Sequence, residues 1–165
     1  MVVKLRTDKI NYYLDIAESV SERSTCLRRH YGCVIVNNDE IISTGYNGAP
    51  RGRKNCDELG FCYRDKMKVP RGERYELCRS VHAEQNAIIS AARKDIIGGT
   101  MYIVGINVQT KEIEPHSTSC MMCKRVVINS GIKQVIVREP NHEYTIYNVE
   151  DWITDDDSLN GKLGY

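Results

Sequence analysis

The chain has 165 residues, and 23 Lys and Arg against 22 Asp and Glu leave a formal net charge of +1. That length suits one domain with a respectable buried core, and hydrophobic residues at 41% with charged residues at 27% are the balance of a globular protein rather than a disordered or fibrous one. Near-neutral charge excludes a polycationic wrapper of nucleic acid, no apolar run is long enough for a membrane-spanning helix, and the opening MVVKLRTDKINYY lacks the apolar stretch of a secretory signal, so a cytoplasmic protein is expected.

Residues 8–24 place Ile10, Tyr13, Leu14, Ala17 and Val20 at helical spacing, with Asp8 as the cap. Two short apolar runs, 33–36 and 40–47, are separated by asparagines and Asp39 and predict a two-stranded hairpin. From about 48 to 80 the periodicity disappears and Gly, Pro, Arg and Cys accumulate. That insert is long for an unstructured loop, so something must hold it in place. His82 to Asp95 is a strong helix-forming run with a small-residue face of Ala87, Ile88, Ala91 and Ala92, closed by Gly98-Gly99. A strand follows at 100–108, a second helix at 120–131 ending at Gly131, and a strand at 133–139. A further strand at 144–149, a short helix from Glu150 and a loose tail at 155–165 complete the pattern. Helices alternating with strands in the second half imply crossover connections. The expectation is one three-layer α/β domain spanning 1–165, with a sheet covered on both faces.

Seven cysteines are an odd number for a disulfide framework, and without a secretory signal reduced thiols that bind metal explain them better. Cys33 lies within a predicted strand and belongs to the core. Two short motifs stand out: His82-Ala83-Glu84 at one helix start and Cys120-Met121-Met122-Cys123 at the next. Cysteines three apart share a helix face, and a helix N-terminus favours the thiolate. Two thiolates and one imidazole hold zinc with a fourth position open to water, the requirement for a catalytic ion. Glu84 would take a proton from that water and pass it on. A CxxC pair alone also suits a redox dithiol or half a structural zinc knuckle, and a lone histidine before a helix is often only a cap. The combination is far more specific than either piece.

Together these segments resemble the zinc-dependent cytidine and deoxycytidylate deaminase superfamily, with its H-x-E and P-C-x-x-C signature, and within it the deoxycytidylate (dCMP) deaminases. STGYNGAPRG (43–52), VHAEQNAI (81–88) and SCMMCKRVVINSGIKQVIV (119–137) carry the likeness, which covers about residues 8–139. Ser119 departs from the family pattern, standing where proline usually precedes the first cysteine. Serine caps a helix as well, and no chemical group is lost.

The resemblance implies an α/β/α sandwich around a mixed sheet of about five strands. It implies a catalytic zinc (Zn) on His82, Cys120 and Cys123, Glu84 as proton shuttle, and hydrolysis of dCMP to dUMP and ammonia. Asn47, Ala83 and Ser119 would contact the nucleotide, Arg28 and Arg29 its phosphate (with Arg51 or Arg53 as substitutes), and Tyr144 would close over the pyrimidine. Asn47-Gly48 also reads as nothing more than a turn. A second, structural zinc on Cys26, Cys56, Cys62 and Cys78 would order the insert, the alternative being that Cys26 and Cys78 are small core residues. Family members commonly form homo-oligomers, often hexamers, activated by dCTP (with Mg) and inhibited by dTTP, and bind the effector near Gly45, Tyr46, Gly48 and Arg51. Competing expectations are a deaminase of dCTP or of both nucleotides, a free-nucleoside deaminase, a polynucleotide deaminase and a non-catalytic zinc module. Stable nucleic-acid binding is not expected at this net charge.

Overall fold

The computed structural model describes residues 6–161. Asp8 caps α1 (Lys9–Ser21) by accepting from the Asn11 N–H at 3.0 Å. The hairpin is β1 (Arg29–Asn37) and β2 (Glu40–Tyr46). The insert folds into two single-turn helices, α2 (Cys56–Leu59) and α3 (Tyr63–Lys66), and a 3-10 turn at Tyr75–Leu77. Its ends are pinned together where Gly48 and Val81 exchange backbone hydrogen bonds of 3.2 and 2.8 Å. The segment expected to be irregular is thus a closed excursion with internal turns.

The run from 82 to 95 divides in two, α4 (Ala83–Ile89) and α5 (Arg93–Ile96). Ala92 is extended (ψ 133°), so the helix-forming composition is overridden there. Then come β3 (Thr100–Asn107), α6 (Met121–Ser130) closed by left-handed Gly131, β4 (Gln134–Arg138), β5 (Tyr144–Asn148) and α7 (Val149–Thr154). Of the tail expected to be loose, Asp157–Leu159 forms a 3-10 turn tied by an ion pair of 2.8 Å from Asp157 to Lys124, and residues 162–165 lie outside the described region. No helix among the described residues is long and apolar enough to cross a membrane.

The five strands run in the order β2-β1-β3-β4-β5. β3 and β4, joined through α6, are parallel, and every other neighbouring pair is antiparallel. The sheet is therefore mixed. Alternation along β1 buries both of its faces. Val34 and Val36 join Tyr102, Val104 and Ile136 under Tyr13, Leu14 and Ala17 of α1. Cys33 and Ile35 join Met101, Ile103, Val135 and Val137 under Ala83, Ala87, Ile96, Val127 and Val149 from the four later helices. The result is an α/β/α sandwich.

Two glycines let helices rest on strands backbone to backbone. A Cβ at Gly32 would lie 1.9 Å from the Ala17 carbonyl oxygen, and one at Gly45 would lie 2.3 Å from the Ala83 oxygen and 2.4 Å from the Ala87 nitrogen. The Ser43 hydroxyl donates to the Ala87 carbonyl at 2.7 Å, and Asn86 Nδ2 donates to the Tyr46 carbonyl at 2.7 Å. Gly45, expected in an effector site, therefore serves to seat α4 on β2. Replacing Gly45 by Ala is expected to destabilise the fold by about 1–3 kcal/mol, as overpacking does, and to weaken zinc binding because α4 is displaced. Unchanged melting and unchanged zinc content would show that α4 does not depend on this approach.

Candidate active site

His82 and Cys120 are the cap residues of α4 and α6, both in extended backbone geometry. The His82 N–H donates to Gln85 Oε1 at 3.0 Å, and Cys120 Sγ accepts from the Cys123 N–H at 3.4 Å. Each helix start thus fixes its own ligand, while the packing of α4 and α6 on the same face of the sheet brings the two starts together. His82 Nδ1 lies 3.5 Å from Cys120 Sγ and 3.3 Å from Cys123 Sγ, and the ligand atoms of the three residues lie within 4.8 Å of one another. Both cysteines are buried.

This donor set, two sulfurs and one imidazole nitrogen converging beside two helix N-termini, fits zinc in its catalytic form. Burial disfavours a charged imidazole, yet hydrogen bonds with Cys120 and Cys78 and the Glu84 carboxylate outweigh it and push His82 up to about 11. Cys123 is driven up by its hydrogen bond with Cys120 and by burial. Glu84, in the first turn of α4, is not among the converging donors. The residue is 7% exposed, and burial pushes its pKa up despite the opposing pull of His82.

His82, Cys120 and Glu84 line a cavity of about 630 Å³, with Cys123 buried beside them. A groove of about 550 Å³ between α4, α5 and α6 is lined by residues such as Ile88, Met122 and Val126, and contains no acid, histidine or thiol. The chemistry belongs to the first of these spaces.

Of the expected substrate residues, Asn47, Arg28, Arg29 and Ala83 line the cavity. Asn47 is also a structural brace. Its Oδ1 accepts from Ser24 Oγ at 2.6 Å and from the Tyr31 N–H at 2.8 Å, and its Nδ2 donates to the Arg29 carbonyl at 2.9 Å. One Nδ2 hydrogen is left over. Arg28 Nη1 is 3.1 Å from Asp65, and Arg29 Nη2 is 2.8 Å from Glu114, which also pairs with Arg71 at 2.7 Å. Ser119 is fully buried, beside Glu84 rather than on the cavity wall.

Tyr144 is the residue expected to close over the pyrimidine. It lies on the edge strand β5 opposite Arg138, 39% exposed, and is not on the cavity wall. The aromatic walls are Tyr31 and Tyr75 instead, Tyr75 standing edge-on to the His82 imidazole with centroids 5.6 Å apart. Of the stretch expected to bind an effector, Gly45 and Gly48 are buried at the α4 contact and the Val81 bridge, whereas Tyr46 and Arg51 are exposed.

Cys26, Cys62 and Cys78 face the cavity, and Cys56 is buried at the start of α2. They are electrostatic neighbours: burial raises Cys56, and the other three thiols add to that rise. Cys78 is lowered, because hydrogen bonds with His82 and Ser80 overcome its burial. Their sulfurs do not close up as the triad does, and His82, Cys120 and Cys123 form the one such cluster among the described residues. Spacing alone could not have found Tyr75, Arg64, Arg71 or Glu114, which reach the cavity from segments without periodicity.

Comparison with known proteins agrees with this geometry. The family model described as the cytidine and deoxycytidylate deaminase zinc-binding region matches residues 7–139. Deoxycytidylate deaminase of Schizosaccharomyces pombe is 32% identical over 140 residues, covering 85% of this chain and 38% of that one. Deoxycytidylate deaminase of Mycobacterium phage D29 is 35% identical over 135 residues, covering 79% of this chain and 94% of the phage protein. The chain thus spans well under half of the fission-yeast relative and nearly all of the phage one. The crystal structure of dCMP deaminase from cyanophage S-TIM5 in apo form superposes with a TM-score of 0.56 at 25% identity, over 84% of this chain and 89% of that one. The matched region contains the hairpin, both motif helices and all three converging donors, and the chain belongs to the deoxycytidylate deaminase family of the zinc-dependent cytidine deaminase superfamily.

Proposed function

We propose that the protein hydrolyses the 4-amino group of dCMP, giving dUMP and ammonia. The observation that carries this reading is a buried carboxyl, Glu84, beside a His82–Cys120–Cys123 donor triad at the end of an arginine-lined cavity. Zinc held by those three residues would supply the Lewis acidity that makes water nucleophilic near neutral pH. Glu84 handles protons. Its upward shift lets the carboxyl accept a proton from the attacking water, deliver it to N3 of the cytosine, and then serve the departing amine. Tyr31 and Tyr75 give the pyrimidine apolar walls, Ala83 leaves room beside the ring, and the remaining Asn47 N–H is a donor for the nucleoside. The names of the phage relatives favour the monophosphate over dCTP as substrate.

Exchanging Glu84 for Gln keeps the shape but removes the proton carrier. We expect Glu84→Gln protein to retain zinc and to lose about 100-fold or more in ammonia release from dCMP. Turnover close to the parent rate would reject this role.

Resemblance to the family further supports a homo-oligomer, activation by dCTP with Mg and inhibition by dTTP, each read directly by sizing and by assays with added effector. The gathering of Cys26, Cys56, Cys62 and Cys78 supports a second, structural zinc that would draw their sulfurs together and fix the insert. Metal analysis of zinc-replete protein is then expected to return two ions per chain. A single ion, lost together with activity on chelation, would remove the structural site.

A further inference from the structure

Two arginines among the described residues are less than a tenth exposed, Arg138 at 1% and Arg64 at 5%. Arg138 is neutralised by Asp15 and lies away from the cavity. Arg64 is different. It begins in the insert helix α3, lines the cavity, and has no carboxylate within ion-pair distance among the described residues. Its Nη2 donates to the carbonyls of Pro70 (3.1 Å) and Glu73, and its guanidinium lies 4.3 Å from the centroid of Tyr75. Its Nε–H is buried without a partner.

The Glu76 carboxylate feels Arg64 from beyond ion-pair distance, but it is exposed and already paired with Arg74, so the charge of this buried cation, held by carbonyls and a ring face, is only weakly compensated, which is costly until an anion approaches. The three other cavity arginines do not share this property. Arg28 is paired with Asp65, and Arg29 and Arg71 share Glu114. The Arg29 Nε is also unpartnered, but the charge of Arg29 is already met.

We infer that Arg64 is the residue that selects a phosphomonoester in this cavity, and that the insert exists in part to deliver it. This rests on the dCMP reading above. The carbonyl bonds and the Tyr75 stack hold the guanidinium in place before ligand arrives, so little side-chain freedom is lost on binding. Tyr75 also touches His82, so a phosphate on Arg64 sets the nucleotide's distance from the metal triad. Arg28, Arg29 and Arg71 then form a secondary ring that must trade a carboxylate to take part.

The test compares the zinc-loaded protein with its Arg64→Gln and Arg64→Lys variants, each checked for zinc content and melting temperature. The ratio of kcat/KM for dCMP to that for deoxycytidine is expected to fall about 10- to 100-fold in Arg64→Gln, the size of one or two charged hydrogen bonds. Arg64→Lys keeps a cation without the planar fork and is expected to fall between. Should Arg64→Gln not fold, the Lys variant carries the comparison. In parallel, inorganic phosphate at matched ionic strength is expected to raise the melting temperature of the parent more than that of the variants. A dCMP preference that survives in both variants, with equal stabilisation by phosphate, overturns the role of Arg64 and leaves the deaminase reading standing. Phosphate stabilisation that depends on Arg64, in a protein that deaminates no cytosine nucleotide, keeps the anion site and overturns the deaminase reading.

Discussion

Two helix N-termini have to meet over one face of the sheet for anything else at this site to work. His82 caps α4 and Cys120 caps α6, and their ligand atoms come within 4.8 Å. Burying two thiols, an imidazole and a carboxyl together is costly unless a cation is shared among them. The fold accepts that cost through backbone contact rather than through side-chain bulk. Gly45 allows α4 to sit on β2, while Ser43 and Asn86 bond the helix to the strand. The site lies beyond the carboxyl end of β3, where the crossover to a parallel neighbour places the start of α6. That is the usual location for a ligand in an open α/β sheet.

The insert completes what the sheet begins. Pinned at its neck by the Gly48–Val81 bridge, it contributes Tyr75 and Arg64 to the cavity wall and sends Asp65 and Arg71 to ion pairs at Arg28 and Glu114. These partly exposed pairs are each worth little in stability. Their consequence is electrostatic, because they pair three of the cavity's arginines with carboxylates and leave the buried Arg64 without an ion-pair partner among the described residues. The core holds the donor triad, and the insert supplies part of the cavity wall in front of it.

Much of this was legible in the sequence because local rules suffice for it. The apolar runs 33–36 and 133–139 lie in β1 and β4, where burial of both sheet faces leaves continuous hydrophobic stretches, and the 40–47 run forms the edge strand β2, whose later residues alternate between buried and exposed. The H-A-E and C-x-x-C spacings mark helix starts, and the helix geometry then fixes the ligands. The division at Ser90–Ala92 was hidden, because alanine favours a helix wherever tertiary contacts allow one. Tyr144 lies on the edge strand away from the cavity wall, and its sequence could not show this, because an aromatic at a strand edge has the same local signature as one that covers a ring. Arg28 and Arg29 looked available in the sequence, but their partners Asp65 and Glu114 are 37 and 85 residues away along the chain. Pairings at that range leave no local trace.

The most direct measurement is ammonia release by zinc-replete protein from cytidine, deoxycytidine, CMP, dCMP and dCTP at equal concentration. The account predicts clear preference for dCMP, abolished by chelation and restored by zinc. Silence across all five substrates, in protein that holds its zinc, would contradict it.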